Sequence, residues 1–262
     1  NGPVVIDGVL NAYKDGAIGG NVFFSSSGGF IVGQNGVVNV GSLTVNTPTS
    51  EFLEHVIRPD GQINEALAAR LLRGEVPISP DGVIAIAGKI NAQGGVTLQG
   101  SSVSISGQIL NRNGFEFDQR TLFRSSVNTQ GLVEGTGMVV RNGVVSIVAA
   151  NEARISGRID VGSDTGQAGH ISVRAGGDIT LEDTAELSAD GAGAGGGGLI
   201  EVIAGDTLYA WNDAALSARA TGAGDGGFVE LSGRNVMLGA VKADVSAISG
   251  QSGTLLIDPW DL

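Results

Sequence analysis

Glu201 and Glu230 are the residues whose spacing best suits chemistry. They occupy the same place in two successive units of an alternating pattern, 29 residues apart. If those units stack as parallel strands, the two carboxylates face outward one strand apart, about 5 Å. Retaining glycosidases hold their carboxyl pair at a similar separation of about 5–5.5 Å. Such pairs sit in a cleft, however, and the flanking positions here are Ser172 and Leu256, with no basic or aromatic groove in prospect. A solvated acidic flank is the expected reading, ahead of a cation site and of catalysis.

The other chemical residue types converge less. His170 precedes an inward Ile171 and is expected at the surface, and His55 falls on a helical stretch; neither has metal-ligand spacing. Gly222–Gly227 holds Asp225 in a faint echo of calcium-binding repeats, but it occurs once, and a turn is the expected reading. The tract Gly191–Gly198 lacks the Gly-Lys-Ser/Thr ending of a phosphate loop and stands where a corner between strands is due. Tyr209, Trp211 and Trp260 are the aromatics available for stacking on sugars, with packing the competing role. No catalytic, cofactor-binding or metal-binding residue is assigned on these grounds.

The elements that must position these residues come from a repeat. Gly169-His-Ile-Ser-Val173, Gly198-Leu-Ile-Glu-Val202, Gly227-Phe-Val-Glu-Leu231 and Gly253-Thr-Leu-Leu-Ile257 start 29, 29 and 26 residues apart. Two further short strands follow in each unit. Ile179/Leu181 aligns with Thr207/Tyr209 and Val236/Leu238, and Leu187-Ser-Ala189 aligns with Leu216-Ser-Ala218 and Val245-Ser-Ala247. Three short strands per unit, joined by Gly-rich turns, predict the three-sided rungs of an all-β parallel β-helix. Ile171, Ile200, Val229 and Leu255 then form one interior column.

Composition agrees. Of 262 residues 44 are Gly, more than twice the usual share. Charged residues make up only 16%. A net charge of −12 disfavours nucleic acid and anionic membrane surfaces as partners. There is no cysteine, hence no disulfide scaffold, and no run approaches the length of a membrane span. The chain opens and closes within strand-like segments, so it is expected to be one β-helical piece of a longer protein.

Residues 4–46 already read as short strands cut by glycines, at tighter spacing. From about 49 to 74 the period becomes helical: Thr49 or Ser50 caps a helix over Glu51–Ile57, with Phe52, Leu53, Val56 and Ile57 apolar. Pro59-Asp-Gly61 turns, and Asn64 caps a second helix over Glu65–Arg73, with Leu67, Leu71 and Leu72 apolar and Gly74 at its stop. This pair is expected as an extrusion from one corner, against a flank or an open end. A longer loop or hairpin is expected at about 111–128, and regular rungs over 141–262.

Ile18-Gly-Gly-Asn-Val-Phe-Phe24, Gly29-Phe-Ile-Val-Gly33, Gly36-Val-Val-Asn-Val-Gly-Ser-Leu43 and Thr47-Pro-Thr49 resemble the secretion domain of filamentous-haemagglutinin-like exoproteins of two-partner secretion systems. The leukotoxin-type filamentous adhesins, which include biofilm-matrix adhesins, look most similar. Gly253-Thr-Leu-Leu-Ile-Asp-Pro259 is similar to a phrase that closes the β-helical repeats of such proteins. Where the family reads Asn-Pro-Asn-Gly, this chain has Ser25-Ser-Ser-Gly-Gly29, a departure that leaves open which residues a transporter reads. The resemblance covers residues 1–57 specifically and 140–259 generically.

It implies a right-handed β-helix, with 1–140 as the secretion-domain-like part. It also implies export unfolded through an outer-membrane transporter, whose periplasmic domains are the partner, then folding at the cell surface and adhesion to exopolysaccharide or to a host or other cell surface. Neither cofactor nor membrane insertion belongs to that picture. The rivals are a carbohydrate-binding β-helical module, which differs only in where the binding surface lies, and a polysaccharide-degrading β-helical enzyme. The latter needs a carboxylate or basic cluster and long cleft-forming loops.

Overall fold

The computed structural model describes residues 2–57, 62–111 and 143–260. Apart from one short hairpin, its strands pair in parallel, each with the strand one turn of the coil earlier, and form three faces. The third face is an eight-stranded sheet running Val9–Asn11, Val37–Val40, Lys89–Ala92, Gln108–Leu110, Arg158–Asp160, Glu186–Ser188, Ala215–Ser217 and Lys242–Asp244. The first face ends in His170–Ala175, Leu199–Ala204, Phe228–Gly233 and Thr254–Pro259. The second face ends in Ile179–Leu181, Thr207–Ala210 and Asn235–Leu238. Val96–Ile105 and Val144–Ile155 are long strands that serve both faces, with the register shifting at the bend between Gly100 and Ser102. The fold is an all-β parallel β-helix.

Period-two alternation sends every second side chain inward. Ile171 pairs with Ile200, Ile200 with Val229 and Val229 with Leu255, the interior column expected from the repeat. Ile171, Ile200 and Val229 are fully buried. Each such side chain contributes about 1.5–3 kcal/mol only when another rung covers it.

Two devices hold the register, one polar and one steric. Asn39 donates its amide to Asn11 Oδ1 at 2.7 Å, and Asn91 donates to Asn39 Oδ1 at 2.7 Å. Asn39 is 1% exposed, so a slipped rung would leave its amide buried and unpaired. The second device is a column of glycines at the corner entering the first face. A Cβ on Gly169, Gly198, Gly227 or Gly253 would lie 1.9–2.1 Å from the carbonyl oxygen of the glycine one rung earlier. Only a hydrogen atom fits between corners stacked at rung spacing.

Two alignments of the sequence are corrected by the register. Ile179 and Leu181 pair with Leu208 and Ala210, not with Thr207 and Tyr209. Leu208 and Ala210 are buried, and a one-residue slip would turn Tyr209 into the core. Leu216 pairs with Ala243, not Val245, because the last repeat is shorter. An antiparallel hairpin, Tyr13–Lys14 with Ala17–Ile18, was not anticipated; its turn is Asp15-Gly16, both at positive φ (53° and 83°). It accounts for the irregular spacing near the start.

The extrusion is present as α1 (Ser50–Val56) and α2 (Glu65–Leu72). Thr49, rather than Ser50, caps α1 by accepting from the Phe52 amide, and Asn64 caps α2 by accepting from that of Leu67. Gly74 stops α2 in the left-handed region at φ 72°. The pair lies against a flank: Asn46 donates to the Leu71 carbonyl and Gln99 to that of Gly74, from neighbouring rungs of the first face. Only Phe52 and Val56 are buried, so the apolar assignment of Ile57 and Leu72 is corrected: both are exposed. Arg73 stands at the cap and pairs with Glu75. The turn at 59–61 and nearly all of the loop at 111–128 lie outside the described residues.

Gly198→Ala is expected to destabilise the chain by about 1–3 kcal/mol or more, since its methyl group would meet backbone that cannot yield. Gly95→Ala, whose Cβ would meet nothing closer than 3.8 Å, should stay near wild type. Urea midpoints of the two variants check this.

Candidate functional site

The carboxylate pair is where the repeat places it. Glu201 is in register with Glu230, and Ser172 and Leu256 stand on either side. Its surroundings differ from expectation. His170 Nε2 lies 2.8 Å from Glu201 Oε2, and Arg174 Nη2 lies 3.3 Å from Oε1. His170 therefore does converge on a partner, and a basic pair does face the acid. Both residues come from the strand one rung earlier, offset by two residues from the position opposite Glu201, so they reach it diagonally across the sheet. Glu230 accepts instead from the Ser232 hydroxyl at 2.7 Å. The two carboxylates thus have separate partners on an outer flank, and no group of three or more His, Asp or Glu able to hold a metal occurs among the described residues.

The sequence did not single out a second charged array, which lies on and beside the third face. Arg158 bridges Asp160 at 2.8 Å and Glu186 at 3.5 Å. Asp190 accepts from Arg219 Nη2 at 2.7 Å, Arg219 Nε at 3.1 Å, the Arg219 amide at 2.8 Å and the Ser217 hydroxyl. Partial burial alone would push the Asp190 carboxyl up. The hydrogen bonds from Arg219 and Ser217, with the guanidinium charge, outweigh it and hold the group below its usual range. Arg219 also faces Asp244 at 3.9 Å, so one cation ties successive corners together. The 29-residue offset from Asp190 to Arg219 was the signal available for finding it.

Tyr209 and Trp211 stack on each other, with centroids 5.8 Å apart and planes at 19°, on the outside of the second face. Trp260 is exposed at the far end of the first face. Asp225 sits in a turn and accepts from the Gln251 amide, and Gly191–Gly198 forms a corner bridged to the next rung through Gly191 and Ala220. His55 Nδ1 lies 2.6 Å from the Glu51 carbonyl on the exposed side of α1.

The segment Ser25–Gly29 is a corner between the first and second faces. Ser26 bonds the Gly2 carbonyl, and Ser27 receives the Ser50 hydroxyl from α1. Gly29 holds φ 103° with no room for a Cβ beneath Val83 O. This corner, α1 and the first rungs form one continuous surface. No protein-family model and no curated protein matches the chain. Among the described residues no helix is long and apolar enough to cross a membrane.

Because the folded Asp190 sits below its ordinary value of about 3.9, its contribution to stability is full above that value. It is lost as pH falls through the lower, folded value. Asp190→Asn should therefore lower stability at pH 7 and show a smaller further loss than wild type between about pH 5 and 2. Thermal melts across that range check it.

Proposed function

We propose that this chain is the secretion-domain-bearing part of a two-partner-secretion exoprotein of the filamentous-haemagglutinin type, an exported adhesive rod that works without catalysis. The observation carrying the proposal is the interior column: Ile171, Ile200 and Val229 are each 0% exposed, and each lies between side chains supplied by the rung before and the rung after. Each rung is thus stabilised by a neighbour already in place. That property suits a chain emerging from a pore and folding progressively, since every new rung also covers the strand edge before it.

The residue-level resemblance over 1–57 supports the same reading. In the fold these residues build the first rungs, the Ser25–Gly29 corner and α1 on one surface, which we assign as the part read by the transporter's periplasmic domains.

Two measurements test this. The chain refolded from urea should be retained by the periplasmic domains of its outer-membrane transporter, and removal of residues 1–57 should abolish retention. Absence of binding by the intact chain would count against the assignment. Deletion of the first rungs should also slow refolding at least several-fold; a truncated chain that refolds as fast as the whole would remove the argument for directional folding.

A further inference from the structure

Asn35 precedes Gly36 in the corner that leads from the second face into the third. The corner is a tight turn in which the Gly36 amide donates to the Gly33 carbonyl at 2.8 Å. Asn35 is exposed and Gly36 is buried. A Cβ on Gly36 would lie 2.3 Å from the Ile6 carbonyl oxygen, and one on Gly88 would lie 2.2 Å from the Gly36 carbonyl oxygen. That Gly36 carbonyl accepts the Lys89 amide at 2.8 Å, so Gly36 joins three successive rungs. Asparagine before glycine is also the pair in which the backbone nitrogen reaches the side-chain carbonyl carbon with least hindrance, because glycine has no Cβ to obstruct the approach.

We propose that Asn35 is a modification site that folding closes: in the unfolded chain it converts through a succinimide to aspartate and isoaspartate, and the isoaspartate form cannot build this corner. The Gly36 nitrogen loses its proton and bonds to Asn35 Cγ, and the side-chain amide nitrogen leaves as ammonia. Water then opens the ring. Breaking the bond from nitrogen to Cγ gives aspartate with an unchanged backbone. Breaking the bond from nitrogen to the main-chain carbonyl carbon gives isoaspartate, in which the chain runs through Cβ and Cγ and is one atom longer.

The folded turn blocks ring closure. In the succinimide the nitrogen carries a third carbon where its hydrogen stood, and in the fold that hydrogen points at the Gly33 oxygen. The carbon would overlap that oxygen unless the turn opened first, which lifts Gly36 from Ile6 and Gly88. The product has the converse problem. One additional backbone atom at this corner displaces either Val37 from its partners Val9 and Lys89, or Val32 from Ile6 and Ile86. A chain held unfolded, as the proposed export requires, is the state in which the reaction runs. The site itself does not rest on that reading, because it follows from the corner alone.

Peptide mapping of the whole chain, aged in mildly alkaline buffer either folded or unfolded in guanidinium, tests the proposal. Unfolded chains should accumulate aspartate and isoaspartate at Asn35. Folded chains should do so at least about tenfold more slowly, because the turn must first open. The aged, unfolded chains are then returned to native buffer, and the refolded and misfolded fractions are mapped separately. Isoaspartate at position 35 should be concentrated in the misfolded fraction, whereas aspartate at the same position should be found in both. Mapping by position keeps the result apart from the other two Asn-Gly pairs, Asn113-Gly114 and Asn142-Gly143. Three results would each overturn the proposal: no product at Asn35 in the unfolded chain, equal rates in folded and unfolded chains, or isoaspartate at position 35 equally abundant in both fractions.

Discussion

Everything in this molecule depends on stacking a rung that cannot bury its own apolar side chains. Ile171, Ile200 and Val229 are dry only because another rung lies on each side of them. The backbone of each strand bonds the strand before it, so the same contact that removes apolar surface from water also satisfies the peptide groups. Stacking at strand spacing then restricts the corners. Where one glycine carbonyl points at the next glycine Cα, a methyl group would sit about 2 Å from oxygen. The glycine content is thus a packing requirement of the coil, and it also opens a furrow along one edge of the rod.

The polar groups serve the same constraint. Inside, the chain of amides from Asn91 to Asn39 to Asn11 is satisfied only in one register. Outside, Arg219 connects Asp190 and Asp244 across rungs, and His170 and Arg174 reach Glu201. Exposed pairs of this kind contribute little individually. Their repetition at rung spacing makes them a lattice along the rod, and the well-bonded Asp190 is its most buried acidic member after Asp160.

The helical pair shows how an insertion is accommodated without breaking the coil. Asn46 and Gln99, adjacent in register, each give a side-chain amide to the end of α2, and Arg70 of α2 lies 5.6 Å above the Phe52 ring of α1. The extrusion therefore has few buried apolar contacts of its own and depends on the flank beneath it.

Strand alternation, the 29-residue period, the positions of both helices and the interior column of Ile171, Ile200, Val229 and Leu255 were all legible in the sequence, because they are local periodicities of side-chain type. The errors arose where two adjacent residues both suited the inward position, as with Thr207/Leu208, or where a repeat shortened, as before Ala243. Only the tertiary structure decided which face of the coil carries α1 and α2, and that His170 and Arg174 meet Glu201. Those contacts run diagonally between rungs or between a flank and an insertion. They follow from side-chain reach across about 5–8 Å of sheet surface, a distance that linear spacing does not encode.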